Sequence, residues 1–308
     1  MKIPFRKPSL RLLSLAGLLI LSGSIGYSQA PTATQAPKKI LMWKAVSGSN
    51  VVYLLGSIHL GSKDMYPLPK VVDDAFDRSK AMVVEVDVNK VDQSMAMGFV
   101  TKEGMYTGDD NLWAHLSKTT ADKVKRFFAE YEDMAPPAAV AKFKPWLAGI
   151  MASVFPMMKA GMDPNLGIDK HFLDLAEGKK KIEQAESAEF QFKLLSSLPD
   201  NLADVYLSWT VGEVARSKEQ DLKLERLWKQ GDAEALNTVL SEHPKELDGL
   251  MRSMIEDRNP HMADVAEKYL KGGGPCFFVV GAGHLIGKEG VIAILQKRGY
   301  SVFQVSAP

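Results

Sequence analysis

The 308-residue chain carries 38 Lys and Arg against 37 Asp and Glu, a formal net charge of +1, and 46% of its residues are apolar. So even a balance argues against a nucleic-acid partner. Cys276 is the single cysteine, so no intramolecular disulfide framework exists and a buried thiol is expected.

In chain order, Lys2, Arg6, Lys7 and Arg11 precede an apolar run over 12–21 and small residues over 22–30. Residues 1–30 read as a secretory signal peptide, too short for a stable membrane span, with cleavage after Ser28 or Ala30. No cysteine lies nearby to carry a lipid, so a periplasmic or secreted protein is expected. Residues 31–38 read as a flexible leader. Without the four basic residues of the signal peptide the net charge becomes −3. Roughly 270 residues remain, enough for one large domain over 39–306.

Runs 40–46 and 51–58 are strand-like and separated by Ser47-Gly48-Ser49-Asn50, a hairpin signal. Helical spacing over 68–78 and a strand over 81–88 complete a first strand, helix, strand unit. The far end repeats it: strand 275–280, helix 289–297 stopped by Gly299, strand 300–305. Between them, in a helical middle of about 110–270, apolar residues recur at three-four spacing over 119–131, 138–154, 168–176, 188–196, 201–230, 233–243, 245–257 and 262–270. Breaks are expected at Pro136-Pro137, Pro156, Pro164, Pro199, Gly231, Pro244 and Pro260. Residues 181–184 could add a strand, and Met151, Met157, Met158 and Met162 suit a pliable core or cleft lining. The fold class is α/β (α+β), a sheet built from two strand, Gly-x-x-His, helix, strand repeats at the chain ends with a large helical insertion or cap.

The repeats end their first strands alike, as Gly56-Ser-Ile-His59 and Gly281-Ala-Gly-His284. If those strands are neighbours in a parallel sheet, both histidines stand in one crevice beyond the carboxyl ends. Alternation over 81–88 puts Val83, Glu85 and Asp87 on one face of an inner strand, where carboxylates are costly without a cation or hydrogen-bond donors. Gln304 occupies the matching place in the second unit. Two imidazoles and one carboxylate suit a hydrolytic metal site for manganese, cobalt, zinc or iron, or metal-free general-base catalysis on water. The glycines after 280 fit a dinucleotide loop poorly, because no acidic residue ends the following strand. No Gly-x-Ser-x-Gly elbow is present. His115, His171, His243 and His261 read as surface or capping residues, and Lys179-Lys180-Lys181 as a solvated turn.

The segments YLLGSIH, VVEVD, GIDKHFLDLA, EDRNPHMADVAEKYL and FFVVGAGHLIGKEGVIAILQKRGYSV resemble the TraB/GumN family, related to TIKI metalloproteases and more remotely to erythromycin esterases and haem-binding ChaN-like proteins. The resemblance implies His59, Glu85 and His284 as metal and catalytic residues, with Arg258 and Asn259 orienting substrate or stabilising an oxyanion. Asp87 is expected to orient a histidine. The resemblance implies metal-dependent peptide hydrolysis as the leading activity, acting on a peptide or small-molecule substrate. Alternatives are a metal-independent esterase and a non-catalytic haem- or peptide-binding protein.

Overall fold

The computed structural model describes residues 38–215 and 221–307. The expected signal peptide and leader, and the middle of the helix expected over 201–230, lie wholly or almost wholly outside the described residues. Six strands form one mixed sheet: β1 (Lys39–Ser47), β2 (Asn50–Ser57), β3 (Ala81–Val84), β4 (Lys181–Gln184), β5 (Cys276–Gly281) and β6 (Ser301–Ser306). Their order is β4-β3-β5-β2-β1-β6. β1 and β2 are the expected hairpin, turned at Gly48 with φ 56°; a glycine accepts that left-handed conformation without strain.

The first strands of the two chain ends are neighbours. β2 runs parallel to β5, with Gly56 opposite Val280 and Ser57 opposite Gly281, and β5 runs parallel to β3 on its other side. From β2 the chain crosses β5 through the helix Lys70–Arg78 to reach β3, whereas from β5 it crosses the other way through the helix Val291–Lys297 to reach β6. Departures in opposite directions leave a crevice beyond the carboxyl ends of the two strands. The units are otherwise unlike each other, since β3 borders β5 while β6 pairs antiparallel with β1 at the sheet edge. Gln304 accordingly lies away from the crevice and donates to the backbone oxygens of Ile40 and Gly231.

The expected strand over 81–88 ends at Val84. All four of its residues are buried, because the strand is covered on both faces, so alternation carries no information there. The sheet core is built from Leu54, Met82, Phe277 and Phe278, with Phe277 meeting the rings of Phe76 and Phe172 edge-on. A second core fills the helical middle, where the helix Pro145–Lys159 packs on the helix Ala203–Ala215 around Ala152, Phe155, Leu207 and Val211. These helices approach so closely at Gly149 that an added Cβ would meet Tyr206 at 2.2 Å. Pro156 does not break its helix as expected; the helix runs on to Lys159 amid buried neighbours, tertiary packing outweighing the lost backbone bond. Pro260 likewise sits in the first turn of the helix Asn259–Lys268, where no N–H is required.

Cys276 is a free, fully buried thiol at the start of β5. Burial, and secondarily the Glu183 charge, push its pKa well above the ordinary thiol range. A soluble disulfide reagent at pH 8 should therefore label the native chain far more slowly than the unfolded chain, which takes up one equivalent; equal rates in the two states would refute that burial.

Candidate functional site

His59, Glu85 and His284 gather around Gly281. A side chain beginning at Gly281 would lie 3.1 Å from Glu85 Oε1 and 3.7 Å from both His59 Nε2 and His284 Cδ2. One backbone position thus touches all three residues, which the chain separates by up to 225 positions. The local reasons are short. β2 delivers His59 two residues past its end, β5 runs into the helical turn Ala282–Leu285 that carries His284, and Glu85 follows the last residue of β3.

Each histidine has one nitrogen tied and one bare. His59 Nδ1 lies 3.1 Å from Asp169 Oδ1. His284 Nδ1 lies 2.7 Å from Asn259 Oδ1, and the Asn259 amide is oriented by donating from Nδ2 to the Glu289 carbonyl at 2.8 Å. A carboxylate and an amide oxygen can only accept, so both rings carry a proton on Nδ1. His59 Nε2 and His284 Nε2 are buried and have no partner.

Asp169, rather than Asp87, orients His59. Asp87 instead accepts from the Asn89 backbone N–H and pairs with Lys90 at 2.8 Å. Asp169 arrives through Gly167, whose absent side chain leaves room for the His59 carbonyl; an added Cβ would meet that oxygen at 2.4 Å. The neighbouring Ile168 N–H donates to the Ile58 carbonyl, registering the helix Ile168–Ala176 on the histidine segment.

Glu85 is heavily engaged. Oε1 accepts from the Gly281 N–H at 2.6 Å, while Oε2 accepts from Arg258 Nη2 at 3.0 Å and Gln191 Nε2 at 3.2 Å and lies 3.9 Å from His284 Nε2. Arg258 also grips Glu186 through Nε at 2.8 Å and Nη2 at 2.5 Å, and its Nη1 donates to the Met254 carbonyl at 2.6 Å. Four of the five Arg258 donors are thus engaged, three of them with the two acids, and Asn259 is engaged with His284 and the Glu289 carbonyl. Both residues hold the groups of the site in place, and Asn259 also lines the cavity beside it.

The charges follow this wiring. Burial opposes the charge on Glu85, but His284, Arg258 and His59 overcome it and hold the carboxyl near 2. Burial also opposes protonation of both histidines: it brings His284 to about 4 despite Glu85, whereas at His59 the adjacent Asp169 carboxylate wins and raises the imidazole to about 9, so at neutral pH His59 carries a proton on Nε2 as well. Among the described residues no group of three His, Cys, Asp or Glu side chains is arranged to hold a metal ion. The donor chemistry open to a cation is His284 Nε2, with His59 Nε2 joining it once a cation displaces its proton; each is backed by an acceptor on Nδ1 as metal-bound histidines usually are.

The three residues open onto a cavity of about 540 Å3 that Met157, Met162 and Leu224 also line. Such a volume suits a small ligand, within the usual range of about 300–1,000 Å3. Of the remaining histidines, His115 stacks on Tyr106 at the surface, His171 packs against Tyr66 and Phe172, and His261 reaches the Ala185 carbonyl. His243 is the exception to the expected surface placement, because it lines the cavity. Glu186 and Gln191 were not foreseen either. Their one sequence signal is that a strand over 181–184 laid parallel to β3 carries the acid just past its own end to the end of β3.

Among the described residues no helix is long and apolar enough to cross a membrane. No solved structure matches the chain. The chain is similar to the uncharacterized protein YbaP of Escherichia coli (strain K12), at 26% identity over 176 residues, 54% of this chain and 63% of the relative. YbaP of Shigella flexneri matches with the same identity and coverage; the chain thus spans somewhat under two thirds of the length of these curated relatives. The profile of the TraB/PrgY/gumN family matches residues 41–304, which takes in every residue of the cluster around Gly281, and the chain belongs to that family.

Proposed function

We propose that this protein is an exported hydrolase of peptide or small-molecule substrates, in which His59 and His284 hold the attacking water at the floor of the cavity. The observation that carries this reading is the pair of buried Nε2 atoms without hydrogen-bond partners, each ring held in place by an acceptor fixed on Nδ1. Leaving two such atoms unsatisfied costs about 1–3 kcal/mol each, a penalty expected where a site is built for something that binds.

A divalent metal (manganese, cobalt, zinc or iron) suits these nitrogens; held by His59 and His284 beside the Glu85 anion, it would supply Lewis acidity that makes bound water nucleophilic at neutral pH. The chain's own contribution is orientation and charge. Asp169 and Asn259 keep both rings presenting Nε2, and Arg258 with Gln191 holds Glu85 in place. Water oxygen bonds to the carbonyl carbon, the bond to nitrogen or oxygen breaks, and the leaving group departs with a proton. The Ser57 hydroxyl, buried, unpartnered and in the same wall, is the donor available to the developing oxyanion.

A metal-independent esterase is the second reading, favoured by the commitment of both Glu85 oxygens to protein donors. Metal analysis of the purified chain, with a peptide and ester panel assayed before and after chelation, separates the two. Expected is a bound divalent ion, turnover lost on chelation and restored by re-addition. Turnover that survives chelation selects the esterase. Absence of turnover with every metal, alongside tight binding of haem or peptide, sinks the hydrolase reading.

A further inference from the structure

Among the described residues four buried side-chain polar atoms lack a hydrogen-bond partner: Ser57 Oγ, His59 Nε2, His284 Nε2 and His243 Nδ1. All four residues line the same cavity. Native structures keep few such atoms, so their collection in one space marks the outline of a ligand. Three belong to the cluster around the strand ends. The fourth, His243, comes from the segment after the helix Ala233–Leu240 and has no part in that cluster.

The chemistry of His243 is set by its neighbour. Its Nε2 lies 3.0 Å from Asp248 Oδ1, and a carboxylate there places the ring proton on Nε2. Nδ1 is left as an acceptor turned away from solvent, with no donor supplied by the described chain. Leu240 and Ile255 link this point to the reactive end: both line the cavity, and both come within 4 Å of where a side chain on Gly283, next to His284, would start. Leu236, Met251 and Ile286 extend the same apolar wall.

We infer that the cavity selects an amide ligand with two features: an apolar side chain seated on Leu240 and Ile255 beside the histidine pair, and an N–H beyond it that donates to His243 Nδ1. The placement of the reactive bond at His59 and His284 rests on the hydrolase reading, whereas the recognition itself does not require turnover. Burying the apolar group supplies affinity, and the N–H supplies selectivity, because a ligand without it leaves His243 unsatisfied.

The test is calorimetric binding of three probes to the full chain: acetyl-leucyl-leucine amide, its analogue with the C-terminal amide N–H replaced by an ester oxygen, and acetyl-seryl-serine amide. Expected is about tenfold weaker binding of the seryl probe and about five- to tenfold weaker binding of the ester analogue. In His243→Phe the ester penalty should shrink below about twofold, and in His243→Gln, which keeps an acceptor, it should largely persist. Melting curves of both variants check that they fold. Equal affinity for leucyl and seryl probes, an unchanged ester penalty in His243→Phe, or no binding of any probe overturns the inference. The predicted pattern in a protein that hydrolyses no peptide or ester would leave the inference standing and remove the hydrolase reading alone.

Discussion

Replacing Arg258 with Met should lower the melting temperature by on the order of 10 °C. The guanidinium is buried between Glu85 and Glu186, whose side chains are 5% and 4% exposed, and it is the only cation that hydrogen-bonds either of them among the described residues. Methionine fills much of the volume but leaves two carboxylates in a low-dielectric site without the cation that hydrogen-bonds both of them. Breaking a buried ionic group in this way costs about 3–5 kcal/mol, and each kcal/mol moves the midpoint of a domain this size by roughly 2–4 °C. Lysine should recover only part of the loss, because one ammonium cannot reproduce the forked contact with both acids. Arg258→Met combined with Glu186→Gln should recover more, since one of the stranded charges is gone.

The pH dependence of that deficit has a definite sign. In the native chain Glu85 is held near 2, below its unfolded value, so its contribution is fully present above the ordinary carboxylate range and fades as the pH falls toward 2. In Arg258→Met burial acts with less opposition and raises the carboxyl, so acid relieves the stranded charge. The gap in melting temperature between the two proteins should therefore narrow between pH 7 and pH 4, as scanning calorimetry would show. A variant that melts within a degree of the parent at pH 7, or a gap that widens in acid, would contradict the buried triad.

The pairing of β2 with β5 was legible because its signals are local: β-branched and aromatic runs, a glycine at a fixed offset and a histidine just beyond. Glu85 was legible for a similar reason, as a charge at the end of an otherwise apolar strand. Its immediate surroundings were not. Asp169, Gln191 and Arg258 stand 110, 106 and 173 positions from the groups they bond, and nothing in a helical period says which turn of a helix faces a distant strand end. The orienting role expected of Asp87 fails because alternation on one strand face stops at Val84, where the strand ends. The repeat of the two chain ends misled in the same direction: Gln304 matches Glu85 by spacing, but a crossover one strand wide and another two strands wide place the two residues on different parts of the sheet. Helix boundaries around Pro156 and Pro260 were decided by packing and by position in the first turn, neither of which is visible in composition.

His59→Ala and His284→Ala should each reduce turnover of a peptide or ester substrate by about 10²–10⁴-fold, the range associated with losing a positioned acid–base group. Stability should change less, because the deleted Nε2 atoms make no hydrogen bond in the native chain. What each variant does lose is the donor to Asp169 or Asn259, about 1–3 kcal/mol for the oxygen left behind, so assays well below the melting temperature separate chemistry from unfolding. Asp169→Asn keeps an acceptor at the same place but removes its charge, and should cost about 10–100-fold. If the two imidazoles act on one water as a single device, the double variant should be hardly slower than either single one, since the second deletion removes a partner of something already gone. Independent losses that multiply would mean that the two rings act separately, and full turnover in either single variant would remove the pair from the reaction.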